Sequence, residues 1–140
     1  MIFVYLQRIL KVYFMSIEEQ VKNYLSTEGY KYQEVGDGET ITFKYQGLGY
    51  FLSVDKNDSE YCRLFLPQIY QLEGNRTKVL EAINTLTSGM KAIKAFLVED
   101  QLWLSIEMIV PHDASVCEVF ERCFGILSEG RSRIARLIFE

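Results

Sequence analysis

Thr40-Ile41-Thr42-Phe43-Lys44-Tyr45-Gln46-Gly47-Leu48-Gly49-Tyr50-Phe51-Leu52-Ser53-Val54-Asp55 decides the fold class. Ile41, Phe43 and Tyr45 alternate with Thr40, Thr42 and Lys44. Beyond Gln46-Gly47, Leu48, Tyr50, Leu52 and Val54 alternate with Gly49, Phe51 and Ser53. A period of two sends alternate side chains to opposite faces of a strand, and Gln46-Gly47 is the turn between two of them. Upstream, Tyr30 and Tyr32 lead into Asp37-Gly38, a strong hairpin signal. Downstream, Asp55 to Ser59 is a polar turn, after which Tyr61, Arg63 and Phe65 alternate with Cys62, Leu64 and Leu66. Pro67 has no N–H to give a ladder and is expected to end that strand. The whole run reads as an antiparallel meander.

The flanks change period from two to 3.6. Ser16-Ile17-Glu18-Glu19 matches a capping box, and Ile17, Val21, Tyr24 and Leu25 share one helix face up to a stop at Gly29. Asn75 is the expected N-cap of a second helix carrying Val79, Leu80, Ile83, Leu86 and Met90 at helical spacing, with its end at Gly89. Two strands follow at about 92–98 and 102–110, turned at Glu99-Asp100, the second written by Leu102, Leu104, Ile106, Met108 and Val110. Ser115-Val116-Cys117-Glu118 is a second capping box. It opens a helix faced by Val116, Val119, Phe120, Cys123, Phe124 and Leu127, which Gly130 is expected to interrupt before a short helix through Ile134, Leu137 and Ile138. The order is α-β-β-β-β-α-β-β-α. It predicts one α+β domain over residues 16–140, an antiparallel sheet of meander plus hairpin with helices on one face.

Composition narrows the function classes. The 140 residues are 49% hydrophobic and 24% charged, enough apolar material to fold without metal or disulfide. A net charge of −4 argues against a basic nucleic-acid face, and Arg131, Arg133 and Arg136 read as helix C-terminal compensation. Cys62, Cys117 and Cys123 are odd in number with no C-x-x-C pair, which fits small apolar thiols in a reducing cytoplasm. Met1 to Met15 form an apolar extension broken only by Gln7, Arg8 and Lys11, too short to span a bilayer and poor as a signal peptide. It reads as a docking segment, as a membrane-surface helix with little electrostatic help, or as sequence upstream of a start at Met15.

Each catalytic pattern fails a mechanical requirement. His112 is the only imidazole, so no His-rich metal site exists, and no G-x-S-x-G elbow presents a serine to it. Gly47-Leu48-Gly49 lacks the third glycine of a dinucleotide loop, with Leu52 in its place. Asp55-Lys56-Asn57-Asp58-Ser59 begins like a calcium loop, but Glu60 takes the glycine position and Leu66 the terminal glutamate. Asn75-Arg76-Thr77 matches a glycosylation sequon that a cytoplasmic chain leaves idle. No catalytic residue, cofactor or metal is implied. The enzyme alternative is a pocket between sheet and helices with His112 or Asp113 as acid and base.

One face keeps functional content. Alternation puts Phe43, Tyr50, Leu52, Leu64, Leu104 and Ile106 on the more apolar side. Phe51, Tyr61, Phe65, Phe96 and Trp103 then share the other side with Thr42, Lys44, Arg63 and Glu107. A solvated sheet face is ordinarily polar, whereas aromatics mixed with charges match interface composition. Phe51, Tyr61, Arg63, Phe65, Phe96 and Trp103 are therefore the candidate partner-binding residues. The competing account is that the N-terminal segment or a later helix covers these rings.

Val79-Leu80-Glu81-Ala82-Ile83-Asn84, the hairpin Ile93-Lys94-Ala95-Phe96-Leu97 and Leu102-Trp103-Leu104-Ser105-Ile106, a Pro-containing loop and Val119-Phe120-Glu121-Arg122-Cys123-Phe124 together resemble the YbjN family. These are the bacterial sensory transduction regulators, similar in fold to type III secretion chaperones. The resemblance spans about 16–128 and rests on element order and apolar pattern. It implies a non-enzymatic protein that binds other proteins, often as a homodimer.

Overall fold

Strand parity organises the molecule. The computed structural model describes residues 1–7, 15–36 and 38–140. Among them run α1 (Ile17–Thr27), β1 (Tyr32–Val35), β2 (Thr40–Tyr45), β3 (Leu48–Asp55), β4 (Asp58–Gln71), α2 (Arg76–Gly89), β5 (Ile93–Val98), β6 (Gln101–Ile109) and α3 (Cys117–Phe139). The strands form one antiparallel sheet in the order β1-β2-β3-β4-β6-β5. This is the α+β class and the element order expected.

Local chemistry sets the first elements. Ser16 Oγ accepts from the Glu19 N–H at 3.2 Å. Gly29 takes φ 81°, which lets the Tyr30 N–H reach back to the Leu25 carbonyl at 2.7 Å and close the helix. Gln46 and Gly47, both at positive φ, form the tight β2–β3 turn. At the next turn, Asp55 and Asp58 each use Oδ1 to accept the amide two residues on, from Asn57 and Glu60. Asp37, of the expected Asp37-Gly38 turn, lies outside the described residues.

The helices cover the more apolar side. Ile41, Phe43, Tyr50, Leu52, Leu64, Leu104 and Ile106 are all buried. Phe124 of α3 stacks on Tyr45 at 4.0 Å and meets Tyr50 at 4.9 Å and Phe43 at 6.0 Å. Val21 and Leu25 of α1, and Val79 and Leu86 of α2, complete that layer.

Four local expectations are not met as read. Pro67 does not end its strand. β4 continues to Gln71 through a shift of register between Leu66 and Tyr70, with Gln68 at φ 50° absorbing the irregularity that a missing N–H imposes. Asn75 sits at the N-cap position, but its side chain accepts from the Glu73 N–H and donates to the Tyr70 hydroxyl instead of capping. The Ser115 box does not form: α3 begins at Cys117 with Val116 as N-cap, and Gln20 Oε1 of α1 accepts the Val116 N–H at 3.1 Å. Gly130 does not interrupt α3, one continuous 23-residue helix. It lies buried against Ile93, whose Cδ1 occupies the space that a Cβ would need.

Candidate functional site

The site is the sheet face turned away from the helices. Register places Phe51 of β3 opposite Phe65 of β4, Phe65 opposite Ser105 of β6, and Trp103 of β6 opposite Phe96 of β5. The rings meet edge-on or tilted: Trp103 lies 6.0 Å from Phe51, 5.8 Å from Phe65 and 6.3 Å from Phe96, and Phe65 is 6.3 Å from Phe96. All four are partly exposed. Among the described residues the indole Nε1 of Trp103 is buried without an acceptor.

A polar network borders the rings. The Arg63 guanidinium lies 4.5 Å from the Phe65 centroid and 4.9 Å from that of Phe96. Its Nε and Nη2 donate to Ser105 Oγ at 3.3 and 3.2 Å, which satisfies a fully buried hydroxyl. Tyr61 donates its hydroxyl proton to Glu107 Oε2 at 3.0 Å, and Lys94 pairs with the other carboxylate oxygen. The Lys94 and Tyr61 donors hold the Glu107 carboxyl below the usual carboxylate range. Burial, then the bond to Glu107, raises Tyr61.

All six candidate residues therefore fall on one patch. Phe51, Phe65, Phe96, Trp103 and Arg63 are in mutual contact, and Tyr61 joins through Glu107. Ser105 and Lys94 belong to the patch as well and escaped the sequence reading. Parity could have found them, since each sits two positions along the strand from an aromatic candidate. The described N-terminal residues do not cover the face: Ile2 to Leu6, within a helical stretch at 2–7, are 50–78% exposed. Arg8 and Lys11 lie outside the described residues.

The other candidates stay apart from this face. His112 and Asp113 are exposed in the turn before α3. Arg133 pairs with Glu129 one helical turn back at 2.7 Å. Cys62 and Cys123 are buried and Cys117 is partly so, all as free thiols. Burial pushes the three thiols up, Cys62 to about 12, leaving little thiolate at neutral pH. No described helix is long and apolar enough to cross a membrane. The chain matches no family model and no curated protein.

Four rings in edge-on or tilted contact form a partly exposed apolar surface, and the Arg63 guanidinium lies 4.5 and 4.9 Å from the centroids of two of them. Trp, Tyr and Arg are the types that carry most binding energy at protein interfaces.

Proposed function

We propose that this chain is a non-enzymatic protein-binding module, a regulator or chaperone-like adaptor of the kind that the YbjN resemblance implies, acting in the cytoplasm as a homodimer. The observation that carries the reading is the Phe51–Phe65–Trp103–Phe96 patch with Arg63, partly exposed on the face that no described helix covers. β5 supports it further. The strand is at one end of the sheet order, so its outer backbone groups lie beside Phe96 and can accept a peptide strand that extends the same face.

Trp103→Ser and Phe51→Ser test it. The wild type is expected to show a light-scattering mass near twice 16.3 kDa and to retain a stoichiometric protein on affinity capture from native lysate. Each variant should keep the circular dichroism spectrum and cooperative melting of the wild type while association weakens at least about tenfold, as for loss of a central aromatic anchor. Loss of cooperative melting in both variants would make the rings ordinary core, and unchanged association would reject the surface.

A further inference from the structure

A cleft of about 360 Å³ opens on the helix side of the sheet, away from the aromatic face. Its origin is a mismatch in strand length. Ala92 at φ 65° turns the chain after α2, so β5 begins at Ile93 opposite Ile106. The last three residues of β6, Glu107 to Ile109, therefore have β4 on one side and no β5 residue on the other. The inward side chains Ile106, Met108 and Val110 form the floor, and Val119, Cys123 and Ile126 of α3 form the wall. The Cys123 and Met108 sulfurs approach to 3.8 Å across the base.

The rim has one sign of free charge. Lys91 and Arg122 both line the cleft and are exposed, and neither forms an ion pair among the described residues. Glu107 also lines it, but Lys94 and Tyr61 hold its carboxylate on the opposite face of the sheet. An apolar trough with two unneutralised cations at its mouth is complementary to a molecule with an apolar tail and an anionic head. The volume is within the range of small-molecule sites.

We propose that the cleft between β6 and α3 binds a monomeric single-chain anionic amphiphile, its acyl chain along Ile106, Met108 and Ile126 and its head group between Lys91 and Arg122. The recess lies between sheet and helix and has a volume of about 360 Å³. It does not offer the broad flat face that a bilayer surface requires, so a free amphiphile rather than a membrane lipid is the occupant. The reading is independent of the protein-binding face.

Calorimetric titration of the full chain with hexanoate, octanoate and decanoate, each below its micelle concentration, tests it. Affinity should rise about fourfold per added methylene until the trough is filled. Decyltrimethylammonium, with the opposite head charge, should bind more weakly than decanoate. Arg122→Glu and Lys91→Glu are exposed changes expected to keep the fold and to weaken decanoate by up to about fivefold each. Methyl resonances of Met108, Val119 and Ile126 should shift during the titration. The proposal is overturned by affinity independent of chain length, by equal binding of the cationic probe, by charge-reversed variants that bind decanoate as the wild type does, or by binding confined to phosphatidylglycerol vesicles. None of these results bears on Trp103 or Phe51.

Discussion

Gly130 shows how one residue serves two demands at once. In the middle of a helix a glycine costs about 1 kcal/mol relative to alanine, so the position is weak on propensity alone. Here the missing Cβ leaves room for Ile93 Cδ1, with Leu104 Cδ1 at 3.5 Å, and lets α3 pack close to β5 and β6. Gly130→Ala should regain the helical term and lose more by overpacking a buried contact, a net destabilisation of about 1 kcal/mol. Ile93→Val removes the clashing methyl and should cost about 1 kcal/mol by itself. The double variant should then be more stable than the sum of the two single losses, by at least about 0.5 kcal/mol in urea denaturation. Strict additivity would place the cost of alanine somewhere other than Ile93.

At the scale of elements, Glu107 ties β4, β5 and β6 together on the outer face through Tyr61, Lys94 and, at 3.9 Å, Arg63. Its folded pKa is depressed, chiefly by the Lys94 hydrogen bond and then by that of Tyr61. A depressed carboxyl contributes stability above its unfolded pKa of about 4.3, and that stability fades as pH falls through the lower folded value. The side chain is 37% exposed, so screening keeps the contribution under about 1 kcal/mol. Glu107→Gln should lower stability by up to that amount at neutral pH, and the two proteins should converge in urea titrations as pH falls below the depressed folded pKa of Glu107. A gap that persists in acid would mean shape rather than charge holds the network.

The elements also mark what the sequence could disclose. The alternation at Ile41–Tyr45 and Leu48–Val54 placed every one of those side chains on a face, because parity is a property of neighbouring residues alone. The aromatic patch was legible for the same reason. Asn75 is the N-cap that the sequence predicts but its side chain does not cap, and Ser115, Pro67 and Gly130 depart from expectation because what decides them lies elsewhere in the chain or in a strand irregularity. The Tyr70 hydroxyl, Gln20 Oε1, the β4 shift of register and Ile93 are the deciding features. The β6–α3 cleft was invisible for a further reason: it follows from where β5 starts relative to β6, which local pattern fixes only to within a few residues.

For the whole molecule, the outer sheet face and the helical stretch at 2–7 both expose apolar side chains among the described residues, and apolar area alone does not choose between them as the seat of the proposed association. Preorganisation favours the sheet face in the proposed association. The four rings already contact one another, and Phe65 and Phe96 contact Arg63, so a partner there would meet rings with part of their ordering cost met. The side chains from Ile2 to Leu6 are exposed, so their removal takes little from the fold. A chain lacking residues 1–7 should therefore melt with the wild type and keep its light-scattering mass, while Trp103→Ser lowers that mass with residues 1–7 present. Loss of the proposed dimer on deletion alone would move association to the N-terminal segment. Co-sedimentation with anionic vesicles that deletion abolishes would instead make that segment a membrane contact, leaving the sheet face to a different partner.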